Sequence, residues 1–138
     1  MIDEHNEFFN KEAARNPVIL AVDDSPVVLK SVSSVLSDSY KVYTLTESAK
    51  IENVLKHLTP DLFLLDCMMP ALDGFELARI IRSFSEHEET PIIFLTSEGT
   101  LENVSAAIDA GANDFIVKPF NPGELRERIA MWIAKKKY

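Results

Sequence analysis

The chain has 138 residues, 46% of them hydrophobic and 26% charged, and a net charge of −8. That length matches one domain of about 100–150 residues, a second folded domain is not expected, and the composition is globular rather than disordered. The acidic balance argues against direct nucleic-acid binding and against an anionic membrane surface, since both need surplus Lys and Arg, and the lone Cys67 has no partner for an internal disulfide.

Residues 1–16 are polar apart from Phe8, Phe9 and Ala13-Ala14, and read either as a frayed leader or as a short helix docking Phe8 and Phe9. Residues 17–138 form the domain. The start lacks the basic and apolar regions of a signal peptide, and no apolar run nears the ~20 residues of a membrane span, so a soluble protein of a reducing cytoplasm is expected. Val18–Val22 is a short continuous apolar run, the pattern of a strand buried on both faces. Ser25-Pro26 then reads as N-cap and first helical position, with Val28, Val32, Val35 and Leu36 on one face. Lys41–Leu45 alternates like a strand, and Ser48 to Leu58 presents Ile51, Val54, Leu55 and Leu58 at helical spacing before Pro60. Leu62–Leu65 is a second buried strand, and Asp73-Gly74 marks a turn. A helix carrying Phe75, Ala78, Ile81 and Arg82 follows, then a polar, acidic loop from Ser83 to Thr90. Pro91–Leu95 is the fourth strand, Leu101–Ala110 a helix stopped by Gly111, and Asp114–Val117 the fifth strand. Asn121 to Glu124 resembles a capping box opening a last helix that turns Leu125, Ile129, Trp132 and Ile133 inward and ends in Lys135-Lys136-Lys137.

Five strand-helix units with short connections require right-handed crossovers, hence an α/β fold with one doubly wound parallel sheet. The five-strand order 2-1-3-4-5 sets the first and third strands side by side at the switch point, where ligands collect at the carboxyl ends of strands. Asp23 and Asp24 end the first strand and Asp66 the third, so this order makes three carboxylates neighbours. Like charges held that close resist joint ionisation unless a cation is bound, which predicts a divalent metal; Mg2+ suits oxygen ligands shared with a phosphoryl group. Thr96 and Ser97 end the fourth strand and Lys118 the fifth, offering donors to anionic oxygens. A carboxylate can itself attack phosphorus, and Asp66 is the expected nucleophile.

These residues resemble the receiver domain of two-component response regulators, of the flavodoxin-like, chemotaxis-regulator type, over Pro17 to about Lys136. The likeness rests on Asp23-Asp24, Asp66-Cys-Met-Met-Pro70 with Asp73-Gly74, Thr96-Ser97, and Asp114-Phe-Ile-Val-Lys118-Pro119-Phe120 in the family's order. It implies that Asp66 accepts a phosphoryl group from a sensor histidine kinase or a histidine phosphotransfer protein. It further implies that Asp24 binds Mg2+ directly and Asp23 chiefly through water, with the Met68 backbone carbonyl supplying another oxygen. Thr96 and Phe115 are then the switch pair, and Lys118 contacts the phosphate beside a cis Lys118-Pro119 bond. Such a domain signals by binding a downstream effector and is not an enzyme, beyond assisting its own phosphotransfer and dephosphorylation. A monomer, or a weak homodimer strengthened by phosphorylation, is expected from charges such as Asp114, Glu124, Arg128 and Lys135, because exposed ion pairs each contribute only ~0–1 kcal/mol.

Other readings fit these residues less well. An aspartate-nucleophile phosphohydrolase needs a second acid two residues after the nucleophile, where this chain has Met68. A nucleotide carrier needs a phosphate-binding loop where Asp23-Asp24 stand, and a degenerate receiver that only docks would not need every key side chain. Cys67 reads as a small buried hydrophobe, and His5, His57 and His87 as scattered solvated side chains.

Overall fold

The computed structural model describes residues 16–136, so the leader with Phe8 and Phe9 lies outside the described residues. Strands and helices alternate: β1 (Val18–Val22), α1 (Pro26–Leu36), β2 (Lys41–Leu45), α2 (Ile51–Leu55), β3 (Leu62–Leu65), α3 (Gly74–Ser83), β4 (Ile92–Thr96), α4 (Leu101–Asp109), β5 (Asp114–Val117) and α5 (Pro122–Lys136). The strands form one parallel sheet in the order β2-β1-β3-β4-β5. The doubly wound arrangement read from the sequence is therefore the fold.

Successive strand residues face opposite ways, and here both faces are covered. Leu20, Val22, Phe63, Leu65 and Phe94 point toward Ile51, Leu77, Ile81 and Ala107 of α2, α3 and α4. Ile19, Ala21, Leu64 and Leu95 point toward Leu29, Val32 and Leu36 of α1 and Leu125, Ile129 and Ile133 of α5. This double burial is why β1 and β3 are unbroken apolar runs and β4 is apolar from Ile92 to Leu95. β2 lies at the sheet edge and leaves Lys41, Tyr43 and Thr44 exposed.

The helix starts follow local chemistry. Ser25 Oγ accepts from the Val28 amide at 3.3 Å with Pro26 at the first helical position, and Asn121 Oδ1 accepts from the Glu124 amide at 3.0 Å. Gly111 takes φ 104° just past α4, a conformation that glycine adopts without strain. Three expectations need correction. Asp73-Gly74 is a helix start rather than a free turn: Asp73 accepts from the Glu76 amide at 2.9 Å while Glu76 accepts from the Asp73 amide at 3.2 Å, a complete capping box. The helix expected over Ser48 to Leu58 is a 3-10 turn, Ser48–Lys50, followed by only five α-helical residues. The polar stretch after α3 is not a solvated loop throughout, because a 3-10 turn at Ser85–His87 buries His87 and Thr90. His87 is 3% exposed, lies 2.8 Å from Thr90 Oγ1 through Nδ1, and meets the Phe63 ring edge-on at 5.0 Å.

Arg82 holds this end of the sheet together. Its Nη1 donates to the His87 and Thr90 carbonyls at 2.9 and 2.6 Å, Nη2 to Gly111 O and Asn113 Oδ1 at 2.7 and 2.9 Å, and Nε to Gly111 O at 3.2 Å. Burial lowers the guanidinium pKa, with the Glu89 charge opposing. One planar fork thus ties α3 to the segments before β4 and β5. Arg82→Met is expected to cost about 2–4 kcal/mol in urea unfolding, because several acceptors lose their donors together, and Arg82→Lys should recover only part of it. A wild-type midpoint for Arg82→Met would refute this role.

Candidate functional site

Sheet register assembles the site. Val22 of β1 pairs with Leu65 of β3, so the residues that follow, Asp23 and Asp24 on one side and Asp66 on the other, leave the sheet at the same level. Leu65 in turn pairs with Phe94 of β4, and Thr96 pairs with Val117 of β5, whose next residue is Lys118. Backbone bonds from Asp66 N to Val22 O at 3.0 Å and from Lys118 N to Thr96 O at 2.7 Å carry the sheet one residue past the strands. Carboxylate oxygens of Asp23, Asp24 and Asp66 all lie within 4.8 Å of one another. The three carboxylates, Lys118 and the Thr96 side chain are therefore brought to one place.

The neighbours divide the labour among the carboxylates. Asp23 is buried, accepting from the Ser25 amide at 2.9 Å through Oδ1 and from Lys118 Nζ at 2.8 Å through Oδ2. Asp66 is also buried; it lies 3.8 Å from Lys118 Nζ and accepts from the Cys67 amide at 2.8 Å. Asp24 is exposed. Burial raises the Asp66 pKa above the ordinary carboxylate range, the Asp23 charge adds to the rise, and Lys118, the Thr96 side chain and the Cys67 amide oppose it. Three carboxylates against one ammonium leave a surplus of negative charge, and the donors are all hard oxygens, so the residues present fit Mg2+.

The surrounding loops are tied down by residues outside the sequence motifs. Ser48, 2% exposed, donates to the Leu72 carbonyl and anchors the β3–α3 loop. In that loop Ala71 takes φ 68°, a left-handed conformation costly for alanine. Gly74 lies so close beneath β3 that an added Cβ would sit 2.0 Å from the Asp66 carbonyl oxygen, and its amide donates to Cys67 O at 2.8 Å. The Asp73-Gly74 pair carried a signal for this glycine, but no local pattern marks Ser48. On the other side Thr96 is fully buried and its Oγ1 accepts from the Glu98 amide at 3.3 Å, while Ser97 is exposed. The Lys118-Pro119 bond is cis, as the resemblance implies. Phe115 is half-buried and stacks on Phe94, and Met68, two residues after Asp66, is 58% exposed. Cys67 is fully buried, as expected of a small hydrophobe, and its thiol pKa is pushed up to about 11, chiefly by burial.

Comparison with known proteins bears on this arrangement. The family model of the response regulator receiver domain matches residues 19–130. The chain is 32% identical over 112 residues to the DNA-binding response regulator MtrA of Mycolicibacterium smegmatis, which covers 80% of this chain and 48% of that protein. It is 31% identical over 121 residues to the hybrid signal transduction histidine kinase D of Dictyostelium discoideum, which covers 88% of this chain and 8% of that protein. The chain thus spans about half the length of the first relative and a small part of the second. Among solved structures it is similar to the Vibrio cholerae chemotaxis protein CheY4, with TM-score 0.81, 32% identity, and coverage of 85% of this chain and 98% of that one. It is also similar to the receiver domain of the sensor histidine kinase PA1611 from Pseudomonas aeruginosa, described with a magnesium ion coordinated in its active site cleft, with TM-score 0.79, 30% identity, and coverage of 86% and 98%.

Proposed function

The chain belongs to the response regulator receiver domain family, the phosphate-accepting signalling module of two-component systems, and from that premise we propose that it switches when Asp66 is phosphorylated. The convergence of three carboxylates within 4.8 Å, with Lys118 Nζ 2.8 Å from Asp23 and 3.8 Å from Asp66, is the observation that carries this reading. Asp66 Oδ2 is the nucleophile; the Cys67 amide holds Oδ1, which orients the carboxylate for attack by the other oxygen. Lys118 stands close enough to exchange Asp23 for an incoming phosphoryl oxygen, and the Thr96 hydroxyl offers a second donor. Asp24, the exposed carboxylate, Asp66 and the Met68 backbone carbonyl would hold Mg2+ directly, and Asp23 would act on it through water. Bound Mg2+ supplies neutralisation of the charge that builds during phosphoryl transfer. Ser97 and Pro119 frame the site.

The donor is a sensor histidine kinase or histidine phosphotransfer protein, the receiver of the signal a downstream effector, and the compartment the cytoplasm. Among the described residues no helix is long and apolar enough to cross a membrane. The domain spans residues 17–138 on this reading. A weak, phosphorylation-strengthened homodimer belongs to the same proposal, though Asp114 is already engaged within the chain by Arg128 Nη1 at 2.6 Å and Trp132 Nε1 at 2.9 Å, which limits what it can offer a partner. A phosphohydrolase is disfavoured, since the position two residues after Asp66 is an exposed methionine with no proton to give.

Intact mass after incubation with a small-molecule phosphodonor tests the switch. One added phosphoryl group in the presence of Mg2+, and none after chelation, is the expected result; no mass gain with Mg2+ would overturn it. The lifetime of that group should be long, because the Met68 side chain cannot orient an attacking water. Met68→Asn supplies a water-binding amide and should hasten phosphate loss about tenfold, the worth of one good hydrogen bond in the transition state. An unchanged or slower rate in phosphate-release measurements would count against this.

A further inference from the structure

Three aromatic rings form a column on the sheet face covered by α2, α3 and α4. Phe75, in the first turn of α3, stacks on Phe94 of β4 with centroids 5.4 Å apart and planes 22° apart. Phe94 stacks in turn on Phe115 of β5 at 6.3 Å and 17°. The middle ring is fully buried and the outer two are half-buried. Register explains the alignment: Leu65, Phe94 and Phe115 are successive cross-strand partners on β3, β4 and β5, so their side chains share one row. One end of the column is tied to the phosphorylation loop, since Phe75 follows Gly74, whose backbone lies against the Asp66 carbonyl. The other end is tied to α5, since the Phe115 amide donates to Asp114, which also accepts from Arg128 and Trp132.

A fully buried ring in a close-packed core has no room to turn aside, so Phe94 presents a fixed flat face to Phe115. When Phe115 lies against that face it gains an offset stack and sheds water; when it swings outward it loses both. We propose that Phe94 and Phe75 are positioning residues for the switch, their stacked rings holding Phe115 inward before any phosphoryl group arrives. This inference rests on the reading of Asp66 and Phe115 given above. On the reading of Thr96 and Phe115 as the switch pair, phosphate at Asp66 draws Thr96 inward and Phe115 follows. Phosphorylation and the stack then favour the same placement of Phe115, and each strengthens the other by linkage. A stacked aromatic pair shifts such an equilibrium by ~2–10-fold.

The test uses the full chain with ring-labelled phenylalanine, and beryllium fluoride with Mg2+ as a phosphoryl stand-in. In Phe94→Leu and Phe75→Leu the Phe115 ring signal without the stand-in should move toward its solvent-exposed value. The half-saturating fluoride complex, read from Trp132 fluorescence, should rise ~2–10-fold, with the gain of one phosphoryl group by mass retained. Phe75→Tyr keeps the ring on a half-buried site and should behave as the wild type. A purely structural role predicts a lower melting temperature with the Phe115 signal and half-saturation unmoved, and that result would overturn the proposal. If Phe94→Leu does not fold, the half-buried Phe75→Leu decides by the same two readouts. Should the wild type itself ignore the stand-in and gain no mass, the phosphorylation reading fails, while the Phe115 signal of the unliganded variants still decides whether the column holds the ring.

Discussion

Asp66→Asn is expected to take up no phosphoryl group under conditions that modify the wild type, and to unfold at a higher temperature than the wild type near neutral pH without Mg2+. The first effect is chemical: an amide oxygen is a poor nucleophile, and no other described carboxylate has the same placement between Lys118 and the Cys67 amide. The second is electrostatic. Burial, helped by the Asp23 charge, raises the folded-state pKa of Asp66, so the folded protein holds that proton more tightly than the unfolded chain. Stability from this group is therefore fully present below the ordinary aspartate value and is lost as pH rises through the folded-state value. At neutral pH the ionised carboxylate weighs against the fold, and the neutral amide removes that burden. The advantage of Asp66→Asn should shrink as pH falls through the folded-state value. It should narrow again when Mg2+ is added, because a cation that binds the folded wild type stabilises it by mass action. Thermal melts across pH, with and without Mg2+, measure both trends. Labelling of Asp66→Asn, or a variant that is less stable at neutral pH and more stable in acid, would sink the assignment.

Gly74→Ala should be the most damaging of the glycine-to-alanine changes, costing about 3 kcal/mol or more and lowering phosphoryl uptake with it. The added Cβ would lie 2.0 Å from the Asp66 carbonyl oxygen, 2.9 Å from its carbon and 3.0 Å from Cys67 Cα. All three obstacles are backbone, so no side chain can rotate away; either the start of α3 or the end of β3 must shift, and the second of these carries Asp66. Gly99→Ala is the control. Its Cβ would meet the Val117 side chain at 2.6 Å, but Val117 is 49% exposed and has solvent to turn into, so the cost should stay under about 1 kcal/mol. Urea unfolding of both variants separates a backbone clash from side-chain crowding. Equal midpoints for the two would contradict the argument.

Much of the fold and the candidate site can be read along the chain because its information is local. Val18–Val22, Leu62–Leu65 and Ile92–Leu95 are apolar throughout, the pattern of strands buried on both faces, and turn residues separate them from stretches with helical spacing. Carboxylates, hydroxyls and an ammonium at successive strand ends are likewise visible one by one. Their meeting follows from strand order alone, since β1 and β3 become neighbours only in a doubly wound sheet. Two of the readings that needed correction concern residues whose packing partners lie elsewhere along the chain. Asp73-Gly74 looks like a turn until Gly74 is seen pressed against β3, and His87 looks solvated until the turn before β4 folds it against Phe63. Arg82 sits at a helix position that composition treats as surface, yet its guanidinium satisfies carbonyls from two other segments. The column through Phe75, Phe94 and Phe115 shows no periodicity, since its members come from a helix and two strands. Hydrophobic pattern determines which residues must be buried and in what kind of element, because that demand is met within a few residues. Which polar groups are satisfied in the interior, and which rings touch, was decided by the tertiary structure, because those partners meet only once the sheet has set its register.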